Sequence, residues 1–487
     1  MNDILDNIKK VLVVYLVLII ALISYIAYFQ LFKAPAIAEK SENKRLWAKR
    51  NEVLRGTIYD RNKNALTASS KNNVLIQNRE YKGGALYSHV LGYVNPTYGI
   101  TGLENKYDND LTNYKSLTLQ SFLKSLNVME AFKDRNKKEE KIGNSLITSL
   151  DDKVQKAAFD ALGDNKGSIV VLNPKTGEIL AMVSKPTFDP NNLAEVMKKA
   201  NSQSYEESPL LNRAVSGLYP PGSTFKIVTL TSAIENISGV TNRTFNDNGK
   251  IVFNSKQSLS NLHGNAYGSI SLKEALAVSS NVVFGGLALE LGNDKLKATA
   301  EKYGFNKNLP SDGIVMEDSR FPKLKDYEKG SIAQSGIGQS KILATPIQMA
   351  LVASTVANNG IMMEPKLVNE VVNKDGELVR KIPSTAISTV ISQDVSNIIK
   401  GYMKNLVDER INRDWGVFKG TNAAGKTGTA DYQLPNGRDA EPHSWFIGFA
   451  PADNPQVAVA VIVENGGAGG GLAAQAAGKV IRTALGR

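Results

Sequence analysis

The longest apolar run lies at the N-terminus, where Val11 to Gln30 reads VLVVYLVLIIALISYIAYFQ without a charge. At 1.5 Å per residue the run matches a hydrocarbon core of roughly 30 Å, so it predicts a membrane-spanning helix. Tyr25, Tyr28 and Phe29 lie near one end, where an aromatic belt sits, and Lys9 and Lys10 flank the other. Ala36-Ile37-Ala38 looks like a signal-peptide cleavage site, but the apolar run is longer than a typical signal core, which favours a retained anchor. The far flank carries more cations (Lys33, Lys40, Lys44, Arg45, Lys49, Arg50) than the tail. Long domains translocate largely regardless of charge, so the expected order is a cytoplasmic tail (1–10), a transmembrane anchor (11–32) and a charged, partly helical connector (33–50).

Beyond the connector the patterns shorten. Residues 51–150 hold strand-like runs at Thr57-Ile58-Tyr59 and Asn73-Val74-Leu75-Ile76, and a lysine-rich solvated stretch from Lys133 to Lys141. Leu146-Ile147-Thr148 predicts a strand. Asp151 to Leu162 predicts a helix with Val154, Ala157, Ala158, Ala161 and Leu162 on one side. Gly167–Leu172 and Glu178–Val183 predict a hairpin around Asn173-Pro174-Lys175-Thr176-Gly177. Helices are expected to dominate from about 223 to 305, followed late in the chain by strands at Ala424–Ala430, Ser444–Ala450 and Val457–Glu464. Two strands early and three late, around a helical middle, predict one antiparallel sheet covered by helices, an α+β domain over 151–487. No fixed-period repeat is evident.

Composition narrows the chemistry. A chain of 487 residues exceeds one hydrophobic core. The absence of cysteine removes disulfides, thiolate metal sites and a thiol nucleophile. The three histidines, His89, His263 and His443, leave little for a zinc site or a Ser-His-Asp triad. The formal charge of +11 is dispersed. It suits solubility near anionic lipid and wall polymer better than nucleic-acid binding, for which no motif is present.

Three short motifs carry candidate chemistry. Pro220-Pro221-Gly222-Ser223-Thr224-Phe225-Lys226 precedes the apolar run Ile227–Ile234, which places Ser223 at a helix start and Lys226 one turn later on the same face, where the hydroxyl and the amine can meet. The helix N-terminus offers free N–H groups and a positive dipole end, which can lower the lysine's pKa and stabilise an oxyanion. A lysine of depressed pKa can serve as a general base where histidines are few. Alone, Ser-x-x-Lys is weak, being most often a helix cap and a solvated lysine. The second motif, Ser279-Ser280-Asn281, interrupts an apolar run just after the capping box Ser271-Leu272-Lys273-Glu274. Three polar side chains there must find partners; either they cap a helix–helix turn or they present Ser279 and Asn281 to a cleft. The third, Lys426-Thr427-Gly428-Thr429, lies on a predicted strand. Gly428 would let a ligand backbone approach and Lys426 and Thr427 could bind a carboxylate; the structural alternative is a glycine bulge.

Order and spacing make the set specific: Ser-x-x-Lys, Ser-x-Asn and Lys-Thr-Gly, separated by 56 residues (223 to 279) and 147 residues (279 to 426). With this set the chain resembles the class B penicillin-binding proteins, monofunctional peptidoglycan transpeptidases. Arg55-Gly56-Thr57-Ile58-Tyr59-Asp60-Arg61, Gly102-Leu103-Glu104 with Tyr107, Asn212-Arg213-Ala214, Gly338-Gln339, Thr345-Pro346-Ile347-Gln348 and Trp445-Phe446-Ile447-Gly448-Phe449-Ala450-Pro451 extend the likeness over about 50–465. One departure is Ala473-Ala474-Gln475, where the family often has Ala-Ala-Pro. The segments 55–61 and 102–107 are expected to hold an N-terminal pedestal (51–150) together through arginine–carboxylate pairs.

The resemblance implies a penicillin-binding, serine β-lactamase-like domain and a D,D-transpeptidase that β-lactams acylate. It implies Ser223 as nucleophile, Lys226 as base, Ser279 and Lys426 in proton transfer to the departing D-Ala, and Asn281 positioning the substrate amide. It further implies Thr427, Gly428 and Thr429 in substrate binding, and the backbone N–H groups of Ser223 and Thr429 as the oxyanion hole. No cofactor or metal is expected. The expected partners are peptidoglycan stem peptides and, by analogy, a SEDS-type glycosyltransferase. The expected location is the plasma membrane, single-pass, with the catalytic domain extracytoplasmic and no glycosyltransferase or repeat module attached. The rival readings are a D,D-carboxypeptidase or β-lactamase of the same fold and a catalytically silent wall-binding scaffold or sensor. No glutamate for a class A lactamase is evident, and a ten-residue tail is short for a signalling domain.

Overall fold

The computed structural model describes residues 2–33, 44–71, 77–114, 141–200, 208–432 and 440–487. Its central element is a five-stranded antiparallel sheet of β1 (Gly167–Leu172), β2 (Ile179–Lys185), β3 (Ala424–Ala430), β4 (His443–Ala450) and β5 (Val457–Val463), in the order β3-β4-β5-β1-β2. The apolar runs are long because both faces are covered. In β5, Ala458, Ala460 and Ile462 enter one core while Val457, Val459, Val461 and Val463 enter another. In β4, Trp445, Ile447 and Phe449 alternate in the same way with Phe446 and Ala450.

Each face has its own helices. α1 (Asp152–Leu162) and α6 (Leu472–Ala484) pack together on the side of the smaller core. The Asp151 carboxylate caps α1 by accepting from Lys153 N and Val154 N. Gln155, which the apolar pattern left out, is buried and joins α1 to the sheet by accepting from Met182 N at 2.8 Å. The other face carries α4 (Pro346–Ala357), whose twelve residues are all buried. Thr345 caps α4 and Pro346 opens it. Around it lie α2 (Lys226–Asn236), α3 (Asn281–Lys302) and α5 (Gln393–Ile411), the last against β3.

The helical middle is interrupted. Between α2 and Leu272 the chain forms four short strands, Thr244–Asp247, Lys250–Asn254, Gln257–Ser260 and Gly268–Ser271, in two antiparallel pairs. Turn-forming sequences such as Asn246-Asp247-Asn248-Gly249 break any helical period there.

A second sheet orders Ile58–Tyr59, Ser145–Thr148, Val368–Val372 and Leu378–Lys381 side by side. It takes strands from both sides of residue 150, so the regions before and after that point share a sheet rather than meet at a linker. Side chains tighten the junction: Tyr107 Oη donates to Asp312 Oδ1 at 2.6 Å, and Arg380 pairs with Asp110 at 2.8 Å. The expected strand at Asn73–Ile76 and the lysine-rich stretch up to residue 140 lie outside the described residues.

At the N-terminus a helix over Asn2–Tyr28 continues as a π-helical turn, Phe29–Lys33. Its apolar part, Asp6–Lys33, is 28 residues long and wholly exposed, long and apolar enough to cross a membrane. Of the connector, Lys44–Asn51 is helical.

The pedestal is held by a buried ion cluster. Glu104, fully buried, accepts from Arg55 Nε at 2.5 Å and Arg79 Nε at 2.7 Å. Asp108 accepts from Arg55 and Arg50 at 2.5 and 2.8 Å. Burial alone would raise the Glu104 carboxyl, but Arg79 and Arg55 hold it below its ordinary value. Removing one partner strands the others as unpaired buried charge. Glu104→Ala should therefore destabilise the protein by about 3–5 kcal/mol. Urea unfolding checks this, and an unmoved midpoint would contradict it.

Candidate active site

The Ser223 turn is fastened from several sides before it enters α2. Trp445 Nε1 donates to Pro220 O at 3.0 Å, Gly222 N donates to Gly338 O at 2.9 Å, and Thr224 Oγ1 donates to Pro221 O at 2.7 Å. Phe225 anchors the turn between Phe305 and Phe321, with ring centroids 5.5 and 5.7 Å away. Gly222–Phe225 is a 3-10 turn and Lys226 begins the α-helix proper. Ser223 is half-buried and its hydroxyl makes no hydrogen bond among the described residues, whereas Lys226 is fully buried.

The capping box predicted at Ser271 is present and opens the helix Leu272–Ala277. The chain then turns through Ser279, which holds a left-handed φ of 58°, an uncommon conformation for serine. Ser280 caps α3 by accepting from Val283 N at 3.0 Å. The turn presents three acceptors to one ammonium: Lys226 Nζ donates to Ser279 O at 2.6 Å, Asn281 Oδ1 at 2.8 Å and Ser279 Oγ at 3.1 Å.

This arrangement corrects one expectation. The Ser223 hydroxyl and the Lys226 amine do not pair; the lysine's three donors are occupied by the Ser279 turn instead. The sequence brought Ser223 and Lys226 to one face, and the fold aims the amine across the cleft.

Lys426, on β3, supplies the second amine. It too is fully buried, and its Nζ donates to Ser279 Oγ at 2.9 Å and to Thr427 O at 3.0 Å. One hydroxyl thus bridges two lysines. Burial first, and the neighbouring Lys426 second, drive Lys226 well below the ordinary lysine range; Asp247 acts the other way. Burial, with a smaller contribution from Arg410, lowers Lys426 to about 7.

Along β3, Lys426 and Gly428 are buried, while Thr427 and Thr429 are half-buried and share the opposite face. Thr429 Oγ1 accepts from Gly469 N at 3.2 Å, which leaves its proton free to donate. Gly428 sits in neither a bulge nor an open groove. The β3–β4 register runs unbroken through it, and a Cβ there would come within 2.8 Å of Pro221 O. Behind it, a Cβ on Gly469 would lie 2.1 Å from Gly428 O. The strand is clasped between the serine turn and the glycine-rich loop after β5. Gly222 closes the same contact, since a Cβ there would lie 2.4 Å from Thr429 O. The turn carrying Ser223 and the end of β3 therefore touch backbone to backbone.

Several contributors were not found from sequence. Asp247, at the end of a small strand, accepts from Ser280, and Asn261, just after another, accepts from Asn281 N, so both brace the Ser279 turn. Gln339, with its amide oriented to satisfy both groups, pairs with the Asp431 backbone at 3.0 and 3.3 Å. Arg213, flagged only as part of a motif, ties Ser208 O to Glu464, which also accepts from Tyr219 Oη at 2.6 Å. Each acts across a long sequence separation, and only the fold reveals it. At Gln475, where the family often has proline, the side-chain amide donates to Asp414 O at 3.0 Å. Among the described residues no group of three or more histidine, aspartate or glutamate side chains could hold a metal ion.

Comparison with known proteins gives the family. Residues 167–482 match the penicillin-binding protein transpeptidase domain, and residues 55–133 match the penicillin-binding protein A dimerisation domain. The chain is 33% identical over 475 residues to the peptidoglycan D,D-transpeptidase PbpA of Mycolicibacterium smegmatis, covering 94% of each chain. It is 32% identical over 433 residues to PbpA of Mycobacterium tuberculosis, covering 84% of each. Among solved structures, penicillin-binding protein A from M. tuberculosis as an imipenem acyl-enzyme complex superposes with a TM-score of 0.79 at 30% identity, covering 90% of this chain and all of that one. The D,D-transpeptidase domain of a peptidoglycan glycosyltransferase from Eggerthella lenta gives 0.77 at 33%, covering 89% and 99%. The chain belongs to the penicillin-binding protein transpeptidases, as a serine-type peptidoglycan D,D-transpeptidase of class B.

Proposed function

We propose that Ser223 forms the acyl-enzyme by which this transpeptidase cross-links stem peptides, with Lys226 as its base. The observation that carries the reading is the pair of buried amines joined through one hydroxyl, Lys226–Ser279–Lys426, beside a half-exposed and unbonded serine. A neutral Lys226 keeps two N–H donors, which match Ser279 O and Asn281 Oδ1. Its lone pair is then left for a hydroxyl proton.

The steps follow. Ser223 Oγ attacks the carbonyl between the two terminal D-alanines and its proton passes to Lys226. The oxyanion is held by the backbone N–H groups of Ser223 and Thr429, where loss of one donor typically costs about 10²–10³ in rate. Ser279, drawing on Lys426, returns a proton to the departing D-Ala. Asn281 orients the substrate amide, and Thr427 and Thr429 bind the terminal carboxylate beside Gly428. An amine of a neighbouring stem peptide then attacks the ester, releases Ser223 and forms the cross-link. β-Lactams enter at the first step and stop there as stable acyl-enzymes. Transfer rather than hydrolysis is favoured because, among the described residues, no glutamate hydrogen-bonds to Ser223, Lys226, Ser279 or Asn281. A class A lactamase needs such a group to activate water.

The N-terminal helix anchors the protein in the plasma membrane with residues 1–10 in the cytoplasm and the catalytic region outside. The pedestal over 51–150 and the anchor form the natural contact for a SEDS-type glycosyltransferase that supplies the glycan.

A fluorescent penicillin should label the full-length protein stably, and Ser223→Ala should abolish the label on a denaturing gel. Label retained by the variant would remove Ser223 from its role, and rapid release as hydrolysed penicillin would make the protein a lactamase. The acylation rate should be bell-shaped in pH: it rises as Lys226 loses its proton and falls as Lys426 loses its own, with the alkaline limb beginning near about 7. The two limbs belong to the coupled pair rather than to single residues. Stopped-flow acylation across neutral pH measures this, and a flat profile would refute the two-lysine relay.

A further inference from the structure

We propose that Asp247 is a positioning residue for the reaction, holding Ser279 and Asn281 in register with Lys226 through Ser280 and Asn261. The inference rests on the roles given to Ser279 and Lys226 above and concerns what keeps them in place.

Asp247 ends the short strand Thr244–Asp247 and is fully buried. No lysine or arginine among the described residues pairs with it at ion-pair distance. It is instead surrounded by neutral donors: Ser280 Oγ at 2.5 Å, Asn261 Nδ2 at 2.8 and 2.9 Å to its two oxygens, and Gly249 N at 2.9 Å. A buried carboxylate without a counter-ion is costly, so three donor groups converging on one carboxylate mark a built arrangement.

Both intermediaries act on the catalytic turn. Ser280 gives its proton to Asp247 and uses its lone pair to cap α3. Asn261 shares its two amide protons between the Asp247 carboxylate and Asn265 O, and its Oδ1 accepts from Asn281 N at 2.7 Å and Val282 N at 3.1 Å. Asn281 Nδ2 then donates to Ser260 O at 2.8 Å, which fixes the amide so that Oδ1 faces Lys226. The residue between the two anchored positions and the preceding helix is Ser279, held at its left-handed φ. Release of this brace would let Ser279 relax to an ordinary conformation and carry both acceptors of Lys226 away.

Charge adds a second consequence. The groups facing Lys226 are Ser279, Asn281, the Phe284 ring at 5.6 Å, the Lys426 ammonium and, behind the turn, the Asp247 carboxylate. Asp247 is the anion that supports the protonated amine, so its loss moves Lys226 further down.

The test is acylation of the full-length protein by a fluorescent penicillin, followed against pH, for Asp247→Asn and Ser280→Ala, with thermal unfolding alongside. Asp247→Asn should slow acylation by about 10–100-fold and move the acid limb to lower pH. Ser280→Ala should slow acylation without moving the limb, because the charge remains. Wild-type acylation by Ser280→Ala, or an Asp247→Asn variant whose loss merely tracks its unfolded fraction with the limb in place, would overturn the proposal. If Asp247→Asn does not fold, Ser280→Ala alone decides. Ser223→Ala separates the two readings: label on that variant sinks the mechanism itself, whereas its silence beside a normal Ser280→Ala sinks only the brace.

Discussion

Two fully buried amines that share one hydroxyl repel each other whenever both are protonated, and much of the structure serves to hold them there. Lys226 and Lys426 come from a helix and a strand far apart in sequence, yet both end on Ser279 Oγ. Repulsion and burial act in the same direction, favouring a neutral amine on at least one of them. In the mechanism proposed above, a pair of like groups sharing protons supplies a base and an acid at the same pH. The instability this creates is local and is offset by cores on the two faces of the sheet.

Those cores explain the rigidity of the site. β4 and β5 are buried on both faces, so β3, at the edge, is aligned by a strand that cannot shift without disturbing two cores at once. The serine turn is fastened to β4 through Trp445 and Pro220. Ser223 and Lys426 are therefore referenced to the same sheet. The Ser279 turn is the exception: it hangs from α3 and the small strands, and it depends on polar side chains where the other two motifs depend on packing.

This division matches what was legible in the sequence. The five strands of the sheet, the α1 helix and the capping box at Ser271 could be read because their signals are local: alternation, amphipathic period, a cap three residues from its partner. The three motifs were legible through order and spacing. The strands at 244–271 interrupt a stretch expected to be mainly helical, because short polar hairpins carry little apolar pattern. Asp247 and Asn261 carry no local signal, because the residues of the turn that they hold, Ser280 and Asn281, lie 33 and 20 residues away. The expected contact between Ser223 and Lys226 rested on helical spacing alone; a 3-10 turn and a better set of acceptors across the cleft decided otherwise. At Gly428 the face toward the serine turn is occupied by the protein's own backbone, a need for glycine that the strand pattern does not display.

That filled space has an evolutionary side. A protein under pressure from an inhibitor most simply adds bulk beside its nucleophile. At Gly222, Gly428 and Gly469 the adjoining space is occupied by main-chain carbonyls of the same site, which no rotamer change can clear. A larger residue there would displace the catalytic strand before it displaced a drug. Tolerated substitutions are therefore expected away from these three positions, because at each of them the main chain itself leaves no volume for a Cβ.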